Sequence, residues 1–193
     1  MTGVARPSKR PKVTGEASLP GDPPREELIA RMIRVDHAGE LGAVRIYQGQ
    51  LAVLGASKSA EVIRHMAEQE QHHLESFERL IVERRVRPTL LSPLWHVAGF
   101  ALGAATALMG ERAAMACTVA VEDVIDEHYK SQAEQLGEDE AALKQTIEAF
   151  HADELAHREA GLAHGAAQTP GYELLTAAIR AGSRLAIWLS TRL

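Results

Sequence analysis

Two stretches of the sequence repeat one arrangement of reactive side chains: a lone glutamate inside an apolar run, then Glu-x-x-His about thirty residues later. The first copy is Glu40 with Glu70 and His73; the second is Glu122 with Glu154 and His157. Residues three apart on a helix share a face, so each Glu-x-x-His aims one oxygen and one nitrogen at the same point. Together the copies offer four carboxylates and two imidazoles, an oxygen-rich donor set that suits iron or manganese better than zinc or copper.

These six residues converge only if helices bring them level. Fifteen residues separate Glu40 from Gly55, where a turn is expected, and thirteen separate Ser57 from Glu70. At about 1.5 Å per residue, both glutamates lie roughly 20 Å from the same bend. The second copy behaves alike, with 15 residues from Glu122 to Gly137 and 15 from Asp139 to Glu154. Two antiparallel hairpins with level glutamates predict an all-α, ferritin-like four-helix bundle, in which two helices give one Glu each and the other two give Glu-x-x-His.

The rest of the chain agrees with that architecture. A length of 193 residues suits one domain, and 46% hydrophobic residues with only 4% aromatic fit a helical bundle rather than a sheet. A net charge of -5 without a basic stripe argues against nucleic acid as a partner. The single cysteine, Cys117, rules out an intrachain disulfide and a cysteine-based metal site, and reads as a buried thiol in a reducing compartment. Residues 1–25 combine five prolines with Arg6, Lys9, Arg10 and Lys12, which predicts a disordered tail before a bundle domain at 26–193. That tail has no apolar core for a secretory signal, and its prolines argue against the amphipathic helix of a mitochondrial presequence.

Bundle helices are expected over about 25–54, 57–86, 111–136 and 139–164, each with an apolar stripe interrupted at its centre. In the first, the stripe runs Ile29, Ile33, Glu40, Val44, Tyr47 and Leu51. A carboxylate on such a face costs several kcal/mol unless it is paired or metal-bound. His37, one turn before Glu40, reads as a hydrogen-bonding neighbour of a ligand or as a core histidine. His65 and His72 should face away from the ligands. Asp123, Asp126 and Glu127 compete with Glu122, but Glu122 follows the apolar run Cys117 to Val121 and passes the level test; Asp126 is expected to steady a ligand. His151 and Asp153 are each expected to orient a ligand imidazole. Tyr129, two turns after Glu122, has two readings: a hydroxyl beside metals or substrate, or an ordinary bundle tyrosine.

Between the hairpins, Leu94–Gly110 is a stretch of 17 residues without a formal charge. It sits at the short edge of what crosses a ~30 Å hydrocarbon core, and three glycines and a histidine weaken it further. Two readings stand: an interfacial or re-entrant membrane segment, or a buried crossover helix covering the end of the bundle. After Pro170 and Gly171, an amphipathic helix over about 172–189 places Leu174, Leu175, Ala178, Leu185, Ala186 and Leu189 on one side. Arg180, Arg184 and Trp188 lie at its borders, as they would in a membrane interface with the arginines toward headgroups, or in a cap on the bundle.

Over residues 26–193 the sequence resembles the di-iron demethoxyubiquinone hydroxylases of ubiquinone biosynthesis. The resemblance is carried by Asp36-His37-Ala38-Gly39-Glu40, by Glu70 to His73, by Glu122 with His128 and Tyr129, and by Glu154 to His157. It implies two iron ions held by Glu40, Glu70, His73, Glu122, Glu154 and His157, with two of the glutamates bridging, and catalytic roles for His128 and Tyr129. Two adjacent ferrous ions with open positions would bind and reduce oxygen. The implied activity is an O2-dependent monooxygenase that uses two electrons to hydroxylate the ring of a polyprenylated methoxy-methyl-benzoquinol. Such an enzyme sits peripherally on a membrane, with segments 94–110 and 172–189 as its contact and with room for other proteins of ubiquinone biosynthesis. In a bacterium this is the cytoplasmic face of the cell membrane, and in a eukaryote the matrix side of the inner mitochondrial membrane. The ligand set alone also fits a ferritin-like ferroxidase or iron-storage protein, although the apolar insert argues against a soluble cage. A metal-free scaffold would not need six converging donors.

Overall fold

A computed structural model describes residues 23–193. Among them are six α-helices and no strand: α1 Arg25–Leu54, α2 Ala60–Glu83, α3 Ser92–Leu108, α4 Glu111–Gln135, α5 Ala141–Ala163 and α6 Tyr172–Ser190. The tail expected over residues 1–25 lies outside the described residues as far as residue 22. α1 begins directly after Pro24, with Glu26 and Glu27 in its first turn, where acidic side chains complement the unpaired amides.

α1 packs on α2 and α4 on α5, and the two hairpins close into the expected bundle. Ile33, Phe77, Ile147 and Phe150 belong to an apolar layer toward one end, and Tyr47, Ile63, Met66 and Val119 to a layer toward the other. On every bundle helix these layers bracket the glutamates and histidines singled out by spacing, so the polar groups lie in a dry central slab. Polar contacts align the hairpins at both ends. Arg25 and Arg84 pair with Asp139 and Glu140 of the α4–α5 turn at 2.5 and 2.8 Å. At the other end Glu111 accepts from the Ser59 amide at 3.1 Å and hydroxyl at 2.5 Å. Surface pairs of this kind add at most about 1 kcal/mol each, so their effect is on register more than on stability.

α2 is three residues shorter than expected at each end. Residues 57–59 form a turn that serves the Ser59–Glu111 contact. At the far end Arg85 takes a left-handed conformation, φ 52°, and the Val86 amide bonds back to the Ile81 carbonyl at 2.9 Å, which turns the chain and buries Val86. α5 starts at Ala141, after a 3-10 turn at Glu138–Glu140.

α3 lies along α1 rather than over an end of the bundle. The two backbones nearly touch. A Cβ added to Gly103 would sit 1.9 Å from the Ile46 carbonyl oxygen, and one added to Gly49 would sit 2.2 Å from that of Phe100. The outer face of α3 leaves Leu94, Val97, Leu108 and Met109 more than half exposed. No described helix is long and apolar enough to cross a membrane. α6 packs on α4 through Ile179 and leaves Leu174, Leu185 and Trp188 outward. Of the two readings of this helix, the contacts of Arg180 and Arg184 follow the cap on the bundle: they pair with Asp123 and Glu127 of α4 at 2.7 and 3.0 Å.

Because Gly103 has no room for a side chain, Gly103→Ala should lower the melting temperature by roughly 5–10 °C, the upper range for overpacking in a chain of this size. Thermal unfolding followed by helical circular dichroism tests this, and an unchanged midpoint would mean that α1 and α3 lie farther apart.

Candidate metal centre

The six residues predicted from spacing meet in the middle of the bundle, none more than 4% exposed. Their ligand atoms form two groups, each within 4.8 Å: Glu40, Glu70, His73 and Glu154, and Glu70, Glu122, Glu154 and His157. Glu70 and Glu154, the first members of the two Glu-x-x-His pairs, belong to both. The Nδ1 of His73 lies 3.3 Å from Glu154 and 3.6 Å from Glu40, and the Nδ1 of His157 lies 3.1 Å from Glu70 and 3.2 Å from Glu154. The outer nitrogens find acceptors. His73 Nε2 is 3.1 Å from Asp153 Oδ2, and His157 Nε2 is 3.1 Å from Gln69 Oε1. Carboxylate and amide oxygens only accept, so Nε2 carries the proton in each neutral ring and the Nδ1 lone pair faces the cluster.

Without a cation the cluster holds on to protons that ordinary carboxylates release. Burial, then the neighbouring carboxylates, pushes Glu70 and Glu122 well above the ordinary carboxylate range, and burial also raises Glu40. Burial works to raise Glu154 as well, yet the His157 and His73 imidazoles hold it below that range. Both oxygens of Glu70 and the Nδ1 of His73 are buried without a hydrogen-bond partner among the described residues. Orphaned acceptors aimed at one point, in an apolar slab, fit a bound metal ion.

Two tyrosines close the cluster crosswise. Tyr129 donates to Glu40, and Tyr47 donates to Glu122 Oε1 at 3.0 Å. Tyr129 is thus both a core residue of the apolar layer and a hydroxyl bonded to a predicted ligand. Tyr47 was legible only as part of an apolar stripe, although it follows Glu40 by seven residues just as Tyr129 follows Glu122. Gln69 was also missed, although it precedes Glu70 as Asp153 precedes Glu154.

Other expected neighbours lie elsewhere. Asp126, expected to steady a ligand, pairs with Lys130 at 2.7 Å and with His151 at 2.6 Å, so neither Asp126 nor His151 bonds a cluster residue. His128 bonds Asp36 Oδ1 at 3.0 Å, one position outside the cluster. His37 is half-buried, outside both groups, with its Nδ1 unpartnered among the described residues. His72 and His65 are exposed, as expected. Burial pushes the Cys117 thiol up to about 12, in keeping with an inert structural thiol.

Beside the cluster lies a cavity of about 420 Å³, walled by α1, α3, α4 and α6, with no charged side chain among its lining. Gly39 and Val121, chain neighbours of Glu40 and Glu122, line it, as does Trp95, whose indole donates to Ser190 at 2.9 Å. Leu185 both lines the cavity and is more than half exposed, which places it at the mouth.

Residues 27–190 match the family described as Ubiquinone biosynthesis protein COQ7. The chain belongs to that family. It is 61% identical over 180 residues to the 3-demethoxyubiquinol 3-hydroxylase of Rhodospirillum rubrum, which covers 93% of this chain and 85% of that one. It is 53% identical over 169 residues to the NADPH-dependent 3-demethoxyubiquinone 3-hydroxylase, mitochondrial, of Homo sapiens, covering 86% of this chain and 78% of the relative. With the 5-demethoxyubiquinone hydroxylase, mitochondrial, of Saccharomyces cerevisiae it shares 42% identity over 182 residues, covering 86% and 78%.

For this COQ7-family chain the buried charges give stability a direction with pH. Burial raises Asp36 and Glu40 from their ordinary values and pushes Glu70 and Glu122 well above the carboxylate range. Their contribution is therefore fully present below the unfolded values of about 4 and is lost as pH rises. His73 is raised to about 10, since Glu154 and Glu40 outweigh its burial, so its contribution is present below about 6.5 and lost above it. His37, lowered by burial, opposes this only below about 6.5, and the lowered Glu154 only below about 4. The metal-free chain should melt several degrees lower at pH 8 than at pH 6, and a bound divalent metal should abolish the trend. A metal-free chain that is more stable at pH 8 would mean that the cluster is solvated.

Proposed function

We propose that the chain is an O2-dependent demethoxyubiquinol hydroxylase whose centre is a pair of iron ions held by Glu40, Glu70, His73, Glu122, Glu154 and His157. One observation carries the reading. Two groups of four donors share Glu70 and Glu154, and the oxygens of Glu70 are orphaned, beside a cavity without a charged lining. Glu70 and Glu154, shared by the two groups, would serve both metal positions, with Glu40 and His73 holding one ion and Glu122 and His157 the other. Four carboxylates balance two divalent cations while both imidazoles stay neutral. Oxygen-rich ligation favours iron over softer metals.

When bound, a ferrous pair supplies the activation of oxygen. The chain's own residues prepare the place for it. Asp153 and Gln69 fix the imidazole rings. Tyr129 and Tyr47 hold protons at their hydroxyls against Glu40 and Glu122, and the apolar layers exclude water. One atom of O2 enters the quinol ring as a hydroxyl and the other leaves as water, with two electrons and two protons consumed. His128, tied to Asp36 at the edge of the cluster, is placed to relay a proton rather than to touch the metals.

The quinol's isoprenoid tail does not leave a membrane, so the enzyme meets it there. α3 and α6 wall the cavity and turn Leu94, Val97, Leu174, Leu185 and Trp188 outward, which supports peripheral attachment through these two helices. In a bacterium the attachment is to the cytoplasmic face of the cell membrane, and in a eukaryote to the matrix side of the inner mitochondrial membrane. A ferroxidase or iron-storage protein would use the same ligands but has no use for the cavity or for the outward apolar residues.

Loaded anaerobically, the protein should hold close to two irons per chain. Glu154→Ala, which removes a member of both groups, should lose most of both ions, and Glu40→Ala mainly one. Given a demethoxyubiquinol, NADPH as in the human relative's name, a reductase and labelled oxygen gas, the wild type should place one labelled oxygen on the ring. Full iron in Glu154→Ala would sink the ligand assignment, and oxygen uptake in step with iron oxidation over an unchanged quinol would move the protein to the ferroxidase class.

In liposome flotation the chain should rise with the vesicles at moderate salt, because apolar burial rather than charge holds it. The double variant Val97→Glu, Leu185→Glu should stay behind. If the wild type also stays behind at low salt, the attachment is wrong.

A further inference from the structure

The glycines of α1, α3 and α6 differ in what surrounds them. At Gly49 and Gly103 a side chain would strike a carbonyl oxygen of the neighbouring helix. At Gly42, inside α1, and Gly182, inside α6, an added Cβ would meet no described atom within 4 Å. Neither has a positive φ, so backbone conformation does not call for glycine. Glycine within a helix is less stable than alanine, because it gives up more backbone freedom and brings no side chain to pack. The fold thus loses stability at two places with room for a methyl group, Gly42 half-buried and Gly182 exposed. What the two positions share is the cavity, which both line.

We infer that Gly42 and Gly182 set the bore of the cavity, and so decide how bulky a ring and first stretch of isoprenoid chain can reach the metal centre. The inference rests on the reading of the cavity as the quinol's site. At about 420 Å³ the cavity is near the lower end of small-molecule sites, roughly 300–1,000 Å³, so it takes a substituted ring and a short length of chain with little to spare. A leucine side chain is close in size to one isoprene unit: at half-buried Gly42 it would take up space inside the cavity, and at Gly182, which is exposed, it would stand at the mouth beside Leu185. Gly42 is on the wall that also carries Gly39 beside Glu40, and Gly182 is on the helix that carries Leu185 at the mouth. The pair therefore constrains the path from both walls.

Trp95 lines the cavity, and in a Trp188→Phe background it is the single tryptophan, so its quenching by an oxidised demethoxyubiquinone reports binding to the full-length, metal-free chain. Gly42→Ala and Gly182→Ala should raise the melting temperature by about 1–4 °C. Gly42→Leu and Gly182→Leu should weaken binding of a quinone bearing several isoprene units by at least about tenfold, with iron content and helicity at the wild-type level. A lower melting temperature in either Ala variant would show that the glycine serves packing and would overturn the inference. Unchanged affinity in both Leu variants, while the wild type quenches saturably, would overturn the bore and leave the quinol site standing. Absence of saturable quenching in the wild type would remove the site and the bore together.

Discussion

Four carboxylates and two imidazoles enclosed in an apolar bundle repel one another unless positive charge joins them, and most of the structure answers that constraint. The apolar layers on either side keep water from screening the cluster, which is why burial raises Glu40, Glu70 and Glu122. Tyr47 and Tyr129 relieve part of the repulsion by donating to carboxylates, and Asp153 and Gln69 keep the imidazole lone pairs turned inward. None of these contacts neutralises the site. A pair of divalent cations would, and the unpartnered oxygens of Glu70 mark where charge is lacking.

α1 meets two incompatible demands on opposite faces. Inward it carries Glu40 and Tyr47 into the cluster; outward it is pared to Gly39, Gly42, Ala43 and Gly49, so that α3 and the cavity approach its backbone. A thin wall is the only wall that lets an apolar molecule come near a metal centre inside a bundle. Large side chains there would strengthen the bundle and separate the two compartments. Ile179 packs α6 against Cys117, Ala120 and Val121 of α4, and the ion pairs of Arg180 and Arg184 fix its register, which leaves its other face outward.

The central cluster was legible because it depends on helix geometry alone: residues three apart share a face, and equal distances from a turn lie level. Contacts between helices were less legible. Asp126 and His151 were expected near the imidazoles because they are close to ligands along the chain, but they find each other across the α4–α5 groove instead. The uncharged run of α3 did not say which side would be covered, although Gly99 and Gly103, four apart, are the signature of a close helix contact. Arg180 and Arg184 are spaced by four, as are Asp123 and Glu127, a matching ladder that the sequence already carried. The tail to residue 22 is outside the described residues.

The division of ligands between the hairpins has a consequence in time. Each group of four takes three members from one hairpin and one from the other: Glu154 completes the group of Glu40, Glu70 and His73, and Glu70 completes that of Glu122, Glu154 and His157. Neither half of the chain can finish a site by itself. During synthesis 81 residues pass between His73 and Glu154, which at about 5–20 residues per second is roughly 4–16 s. For that interval the emerging chain shows three donors and no fourth, and closure must wait for the second hairpin to dock. A metal ion held by either group would therefore enter a finished fold rather than a growing one, and a chain truncated before α5 is left without the Glu154 carboxylate that both groups share.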